Sequence, residues 1–111
     1  MLSNCNGKLF VYASSSTSRE KRFEPVRVAT ERIATHLRLN FEIKTFRKKF
    51  EPIYVYYKNG SDEAIPIYCI SDGQTSAEEI CTSLRNMMFV LSFHPRHSAL
   101  RQMRKEIMQF S

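Results

Sequence analysis

An apolar stripe with helical spacing runs through the last third of the chain. Its members recur at intervals of three and four residues, and they are Ala77, Ile80, Cys81, Leu84, Met87, Met88 and Leu91. Just before the stripe, Thr75 with Glu78 or Ser76 with Glu79 can form a capping box. The pattern therefore predicts an amphipathic helix whose apolar side faces the protein core.

Two further helices are predicted from the same kind of spacing. The first begins near Glu24, where Pro25 suits a first helical turn, and ends near Asn40. Its apolar positions are Val26, Ala29, Ile33 and Leu37. The second is a short C-terminal helix over about 98–110, which follows the break at His94-Pro95. Its inward positions are Leu100, Met103 and Ile107.

Between the two long helices the sequence predicts a β-sheet. The β-rich runs are 41–46, Ile53–Lys58 and Ile65–Ser71. Asn59-Gly60 between the last two supplies the residues that tight hairpin turns need. The predicted fold is thus α+β: a three-stranded antiparallel sheet packed on two helices in the order α-β-β-β-α. A further strand at Lys8–Ala13 and the short C-terminal helix are additions to it.

Length and composition predict one domain over residues 1–111, with a core at about 24–93. The chain has 111 residues, of which 42% are apolar and 25% charged, and one core of this size needs no disulfide or metal. The three cysteines form no CxxC pair, which favours reduced thiols. We find neither a membrane-length apolar run nor a secretory signal. We therefore expect a cytoplasmic or nuclear protein, whether the chain is whole or an excised domain.

Charge is distributed unevenly along the chain, whose net charge is +6. Residues 19–49 carry ten Lys or Arg against four Asp or Glu, whereas residues 50–95 carry two against six. Such polarity can steer an anionic ligand to one side of the molecule, or match the opposite patch on a second copy. Solvated helix faces are the alternative explanation.

No motif indicates catalysis. Cys81, His94 and His97 lack the spacing of a zinc site, and Cys81 lies on the apolar stripe, where a buried structural thiol is typical. The paired carboxylates Asp62-Glu63 and Glu78-Glu79 lie in a turn and in a first helical turn, where solvation and the helix dipole explain them. We predict a non-enzyme without metal, cofactor or small-molecule substrate.

Two clusters are candidates for binding. The basic run Arg47-Lys48-Lys49 lies between Phe46 and Phe50, so it offers charges for phosphates and rings for bases. A solvated loop with its rings turned inward is the alternative. In the next strand, alternation puts Tyr54 and Tyr56 on one face, which suits a protein partner or a second copy. A sheet covered on both faces is the alternative there.

The order of elements from about Glu24 to Leu91 resembles a double-stranded-RNA-binding domain. The similar segments are Asn40-Phe41-Glu42-Ile43, the strand Ile53–Tyr57, and Asp72-Gly73-Gln74-Thr75-Ser76-Ala77. The resemblance implies duplex-RNA contacts in the first helix and in the loop after the first strand, at Arg27, Arg32, Arg47, Lys48 and Lys49.

The start of the last helix departs from that family. Ser76, Ala77, Glu78 and Glu79 stand where the family has phosphate-binding lysines. This departure is similar to divergent members that bind protein instead of RNA. The resemblance then implies an adaptor or dimerisation module with weak RNA binding.

Two alternatives from other classes remain. Lys8 to Leu37 is similar to the start of a thioredoxin-like domain in which Ser14-Ser15-Ser16-Thr17 replaces the redox CxxC, although a second helix is missing between Phe46 and Ile53. The other alternative is a basic module on anionic lipid. Strand order separates the first alternative from the RNA-binding fold, because thioredoxin-like folds pair their first two strands in parallel, whereas the RNA-binding fold has only antiparallel pairs.

Overall fold

The computed structural model describes residues 7–60, 63–70 and 75–110. Over these residues the chain is α+β, as predicted. Its elements, in chain order, are β1 (Lys8–Ser14), α1 (Phe23–Leu37), β2 (Asn40–Phe46), β3 (Ile53–Lys58), β4 (Ile65–Ile70), α2 (Ala77–Leu91), α3 (Ser98–Gln102) and α4 (Arg104–Gln109), with a 3₁₀ turn at Thr17–Arg19.

The sheet differs from the three-stranded antiparallel sheet that the sequence predicts. It has four strands in the order β2-β1-β3-β4. β1 pairs with β2 in parallel and with β3 in antiparallel orientation, and β3 pairs with β4 in antiparallel orientation. The N-terminal strand is therefore a central strand and not an addition to the sheet.

The position of β1 follows from its neighbours and from its composition. A strand, a helix and a second strand of the same direction form a crossover unit, and α1 is long enough to return the chain to the start of β2. β1 is buried along most of its length, including Leu9, Phe10, Val11 and Ala13. Such a strand gains most from a central place, where both of its edges are paired.

The helix ends were partly predictable. α1 ends at Leu37, because Arg38 adopts a left-handed conformation and the Leu39 amide donates to the Ala34 carbonyl. At the start of α2, Ser76 and Glu79 form the predicted capping box. The predicted C-terminal helix is divided at Met103 into α3 and α4.

The helices pack on one face of the sheet. The core combines alternate residues of β1 and β3 with the inner sides of the helices, and its completely buried members include Leu9, Val11, Val26, Ile33, Ile53, Val55, Ile80, Leu84, Leu100 and Ile107. The core thus also draws on β1, α3 and α4, outside residues 24–93. No helix in the described part of the chain is long and apolar enough to cross a membrane.

The β3–β4 hairpin is confirmed. Its two strands pair in antiparallel orientation, and Gly60 has a positive φ of 62°, a conformation in which glycine carries no Cβ penalty. Residues 61 and 62 of the connection lie outside the described residues. So do Cys5 and Asp72–Gln74, the latter being part of the resemblance to the RNA-binding domain.

Candidate functional site

The second face of the sheet carries aromatic side chains. On β1 and β3 the residues that alternate with the core positions are Phe10, Tyr12, Tyr54 and Tyr56. The register places Phe10 opposite Tyr56 and Tyr12 opposite Tyr54. Because opposite residues of paired strands project to the same side, the four rings lie together on the side away from the helices.

Two further rings extend this group. Phe46 ends β2 and stacks on Tyr12, with ring centroids 4.7 Å apart. Phe50, in the loop after β2, contacts Phe46 at 5.5 Å and Tyr54 at 6.0 Å. The six rings form one connected cluster, here named the aromatic face: Phe10, Tyr12, Phe46, Phe50, Tyr54 and Tyr56.

The rings of the aromatic face pack against one another, and most of them keep some contact with solvent. Phe10 stacks on Tyr56 with an interplanar angle of 6° and is buried, whereas the other five rings remain partly exposed. None of the ring contacts of this cluster comes from a helix in the described part of the chain. The aromatic face is therefore a connected ring cluster that stays partly exposed to solvent.

Lysines surround the aromatic face. The Lys44 Nζ lies 4.3 Å from the Phe10 ring centroid, a cation–π distance, and the Lys8 Nζ lies 5.9 Å from the same centroid. Lys8 also bonds the Glu42 carboxylate at 2.9 Å, and this contact lowers the pKa of Glu42. Lys58 is opposite Lys8 in the register and so lies on the same side.

The basic run predicted from sequence adjoins the aromatic face. Arg47, Lys48 and Lys49 are exposed and connect Phe46 to Phe50, both of which belong to the ring cluster. They form no ion pair within the described residues. Three positive charges therefore lie at the end of the aromatic face where β2 stops.

Hydrogen bonds hold this loop in place. The hydroxyls of Ser14 and Thr17 both donate to the Phe50 carbonyl, at 3.0 and 2.8 Å. The Arg22 guanidinium donates to the Glu51 carbonyl. Because these contacts hold the backbone at Phe50 and at Glu51, the ring keeps its place in the cluster.

The serine-rich loop after β1 therefore acts as an anchor. The Ser14 hydroxyl oxygen lies 3.2 Å from the Ser16 hydroxyl and 2.9 Å from the Thr17 hydroxyl, and it accepts from the Thr17 amide. Ser14 and Thr17 are buried. Their hydroxyl groups are used within the loop and toward Phe50, so this segment supports the aromatic face structurally.

The structure brings together residues that the sequence suggested for separate roles. Tyr54 and Tyr56, expected to meet a protein partner, lie on one surface with the loop of Arg47, Lys48 and Lys49, expected to bind nucleic acid. The neighbouring Cys69 thiol raises the pKa of Tyr54, so that phenol stays protonated at neutral pH.

Arg27 and Arg32 lie elsewhere. Both are on α1, which packs on the opposite face of the sheet. Arg27 bonds Glu24 and Glu31, the latter at 2.9 Å. Arg32 lines a shallow groove beside the side chain of Phe110. The two arginines therefore lie on the side of the sheet opposite the aromatic face.

Sequence reasoning missed Phe10, Tyr12, Lys8 and Lys44. The signal was present for the two rings, because alternation in Lys8–Ser14 places them on one side of a strand. What the sequence did not reveal was the pairing of β1 between β2 and β3, which puts these side chains next to Tyr54 and Phe46.

Cys81 is 3% exposed, and its thiol lies 3.9 Å from the Ala29 carbonyl oxygen. Burial raises the pKa of this thiol, so it stays protonated. The His94 and His97 rings contact each other at 5.2 Å. Across the described residues no group of three or more side chains is arranged to bind a metal.

No protein-family model matches the chain, and no curated protein matches it.

Proposed function

We propose that this chain is a non-catalytic interaction module that binds single-stranded nucleic acid across its aromatic face. The observation that carries the proposal is one connected cluster of six rings, open to solvent on one side of the sheet and bordered by lysines and arginine. Bases stack on aromatic side chains whatever their sequence, while basic groups follow the phosphates.

The balance of charge favours a polyanion over a neutral protein surface. The side chains around the aromatic face and in the adjoining loop include six basic groups against two acidic ones: Lys8, Lys44, Lys58, Arg47, Lys48 and Lys49 against Glu42 and Glu51. Glu42 is already bonded to Lys8. A strand of phosphates would therefore meet a positive field over the whole surface.

A single strand suits this surface better than a duplex. In a duplex the bases are stacked on one another and cannot reach protein rings, whereas unpaired bases can be laid flat on them. The resemblance also implies duplex contacts at Arg27 and Arg32, which are not part of the aromatic face. α1 holds these two arginines on the other side of the sheet.

The strand order supports the thioredoxin-like alternative. β1 pairs with β2 in parallel, and this is the pairing expected to separate that alternative from the RNA-binding fold, in which all pairs are antiparallel. In place of a CxxC motif, the loop after β1 carries Ser14-Ser15-Ser16-Thr17, whose buried hydroxyls hold Phe50. This loop builds the surface and leaves no thiol there for disulfide exchange.

Fluorescence anisotropy with a labelled single-stranded RNA of about twelve nucleotides tests the proposal. We expect binding that weakens when the same strand is annealed to its complement. The logarithm of the affinity should fall with the logarithm of salt concentration, by about 0.7 for each phosphate neutralised. Failure to bind the single strand at low salt, with a folded protein, would overturn the proposal and favour a protein partner.

Matched variants locate the site. Tyr54→Ala or Tyr56→Ala should weaken binding by about 5- to 150-fold, which corresponds to about 1–3 kcal/mol for one stacked base. Phe93→Ala is the control, because Phe93 is 57% exposed and lies outside the aromatic face. Equal losses in all three variants would contradict the assignment of the site.

A second pair of variants distinguishes a direct phosphate contact of the loop from a general effect of net charge on binding. Replacing Arg47, Lys48 and Lys49 by Glu should lower the salt slope by about 2, because three phosphate contacts disappear. The control replaces three exposed residues of the C-terminal region by Glu, with the same change in net charge. These residues are Arg96, Arg101 and Lys105. If both triple variants behave alike, the loop is not the contact.

A further inference from the structure

The two edges of the sheet differ in how well they could accept another strand. β4 forms one edge, and it contains Pro66, opposite an irregularity in β3 between Val55 and Tyr56. Proline and bulges both discourage further pairing. β2 forms the other edge over seven residues without proline or glycine, and its register with β1 is continuous.

Within the described residues, every second residue of β2 turns its backbone groups to the outer edge of the sheet, where no further strand pairs with it. The Asn40 amide donates to the Gly7 carbonyl, and the Phe46 carbonyl accepts from the Ser15 amide. The even-numbered residues of β2 therefore turn their backbone groups toward β1, which leaves those of Phe41, Ile43 and Thr45 pointing to the outer edge.

The charges of β2 select one register for pairing with a second copy. An antiparallel pair centred on Ile43 uses the whole strand and places Glu42 opposite Lys44 of the second copy, twice by symmetry. Moving the centre by one residue in either direction places Glu42 opposite Glu42, or Lys44 opposite Lys44, and like charges directly opposite are unfavourable. The full-length register is thus also the one with matched charges.

We propose that two copies of the chain associate through β2, with Ile43 on the two-fold axis. In this register Phe41, Ile43 and Thr45 oppose Thr45, Ile43 and Phe41 of the second copy, and each of these pairs can exchange two backbone hydrogen bonds. Symmetric pairing of one surface with itself closes the assembly at two copies.

The outer side of β2 is accessible for this contact. Ile43 is 40% exposed and Thr45 is also exposed, although both lie on the face that the helices cover elsewhere. α1 therefore does not cover this edge. Pairing would place Ile43 beside its counterpart and remove both side chains from water.

A two-fold axis perpendicular to the sheet keeps both aromatic faces on the same side of an eight-stranded sheet. The contact does not use the rings themselves, whereas Lys44 borders both the aromatic face and the β2 edge. Tyr54→Ala should therefore weaken nucleic-acid binding and leave the dimer at native strength, and this result distinguishes the two proposals.

Sedimentation equilibrium on the whole chain tests the interface. We expect a monomer–dimer equilibrium for the native chain. Glu42→Lys and Lys44→Glu should each weaken the dimer by about tenfold or more, because two attractive cross-strand pairs become repulsive. The double variant, which exchanges the two charges, should recover dimerisation. Thermal unfolding checks that each variant is folded.

Mixing gives the sharpest result. The Glu42→Lys chain and the Lys44→Glu chain should form a heterodimer with each other, since lysines of one strand then face glutamates of the other. A native chain that is monomeric up to several hundred micromolar overturns the proposal. So does dimerisation that both single variants retain at native strength, or a mixture that stays monomeric.

Discussion

The two faces of the sheet are built from neighbouring residues of the same strands, yet they do different things. In β3, Ile53 and Val55 are completely buried beneath the helices, whereas Tyr54 and Tyr56 remain partly exposed. The face with the aliphatic side chains supplies the core. The other face keeps five aromatic rings partly in contact with water, a surface suited to stacking against a ligand.

The difference arises in the connection between β2 and β3. Residues 47–52 form a loop that contains no helix, so the described chain has no element at this point to cover the second face. The loop is basic and is fixed through the Phe50 carbonyl. A short connection has therefore left the aromatic face open and also supplied its positive border.

Ile53→Ala should give the largest loss of stability. Ile53 is 0% exposed, and truncating such a side chain removes its burial and leaves a cavity, at a cost of about 2–5 kcal/mol in the free energy of unfolding. Urea denaturation measures this loss. The folded fraction should bind single-stranded RNA with native affinity, and a large loss of affinity would show that the two faces are not separate in function.

Cys81→Ser should have the next largest effect, about 1–3 kcal/mol. A buried hydroxyl would replace a thiol that donates to the Ala29 carbonyl oxygen at 3.9 Å, a distance too long for a hydroxyl hydrogen bond. Cys81→Ala should cost less, and rapid labelling of the native thiol would contradict its burial.

The folded pKa of Cys81 lies above its ordinary value. Stability should therefore fall as pH rises from the ordinary thiol pKa through the raised one, and Cys81→Ala should remove that fall.

Tyr54→Ala should cost about 1 kcal/mol of stability, because the contacts of this ring with Phe50 and Tyr56 lie on the open face. The matched comparison is Ile53→Ala, one residue earlier in β3, under the same denaturation conditions. Tyr54→Phe keeps the ring and should retain stability. A loss equal to that of Ile53→Ala would mean that the aromatic face is part of the core.

Lys8→Met should have the smallest effect. The hydrogen bond from Lys8 lowers the pKa of Glu42, so the stability from this pair is present at neutral pH and lost as pH falls through the lowered pKa. Lys8→Met should return the pKa of Glu42 to its ordinary range, as measured by NMR titration. An unchanged pKa would show that Lys8 does not hold this carboxylate.

Local patterns predicted several elements well. The stripe from Ala77 to Leu91 spans α2 from end to end, and Ser76 with Glu79 forms its capping box. Met87 is the exception, because it is 41% exposed although the stripe predicts that it faces the core. The turn residues Asn59-Gly60 lie in the connection of a true hairpin. These features depend on residues close in sequence, and so their spacing is enough to identify them.

The binding surface was only partly predictable. Tyr54, Tyr56 and the loop of Arg47, Lys48 and Lys49 were singled out from sequence, but as two separate clusters with two different partners. The two clusters form one surface because the Phe46 and Phe50 rings lie between them. The position of Phe50 depends in turn on the hydrogen bonds from Ser14 and Thr17 to its carbonyl.

The sequence by itself determined the elements, their polar and apolar sides, and the excess of basic residues in the first half of the chain. Only the tertiary structure decided that β1 lies between β2 and β3, because pairing between distant strands is set by the burial of whole elements and not by local spacing. That placement joins Phe10 and Tyr12 to the tyrosines of β3 and separates them from Arg27 and Arg32 on α1. One sheet thereby acquires a covered side that stabilises the fold and an open side composed of rings and positive charge.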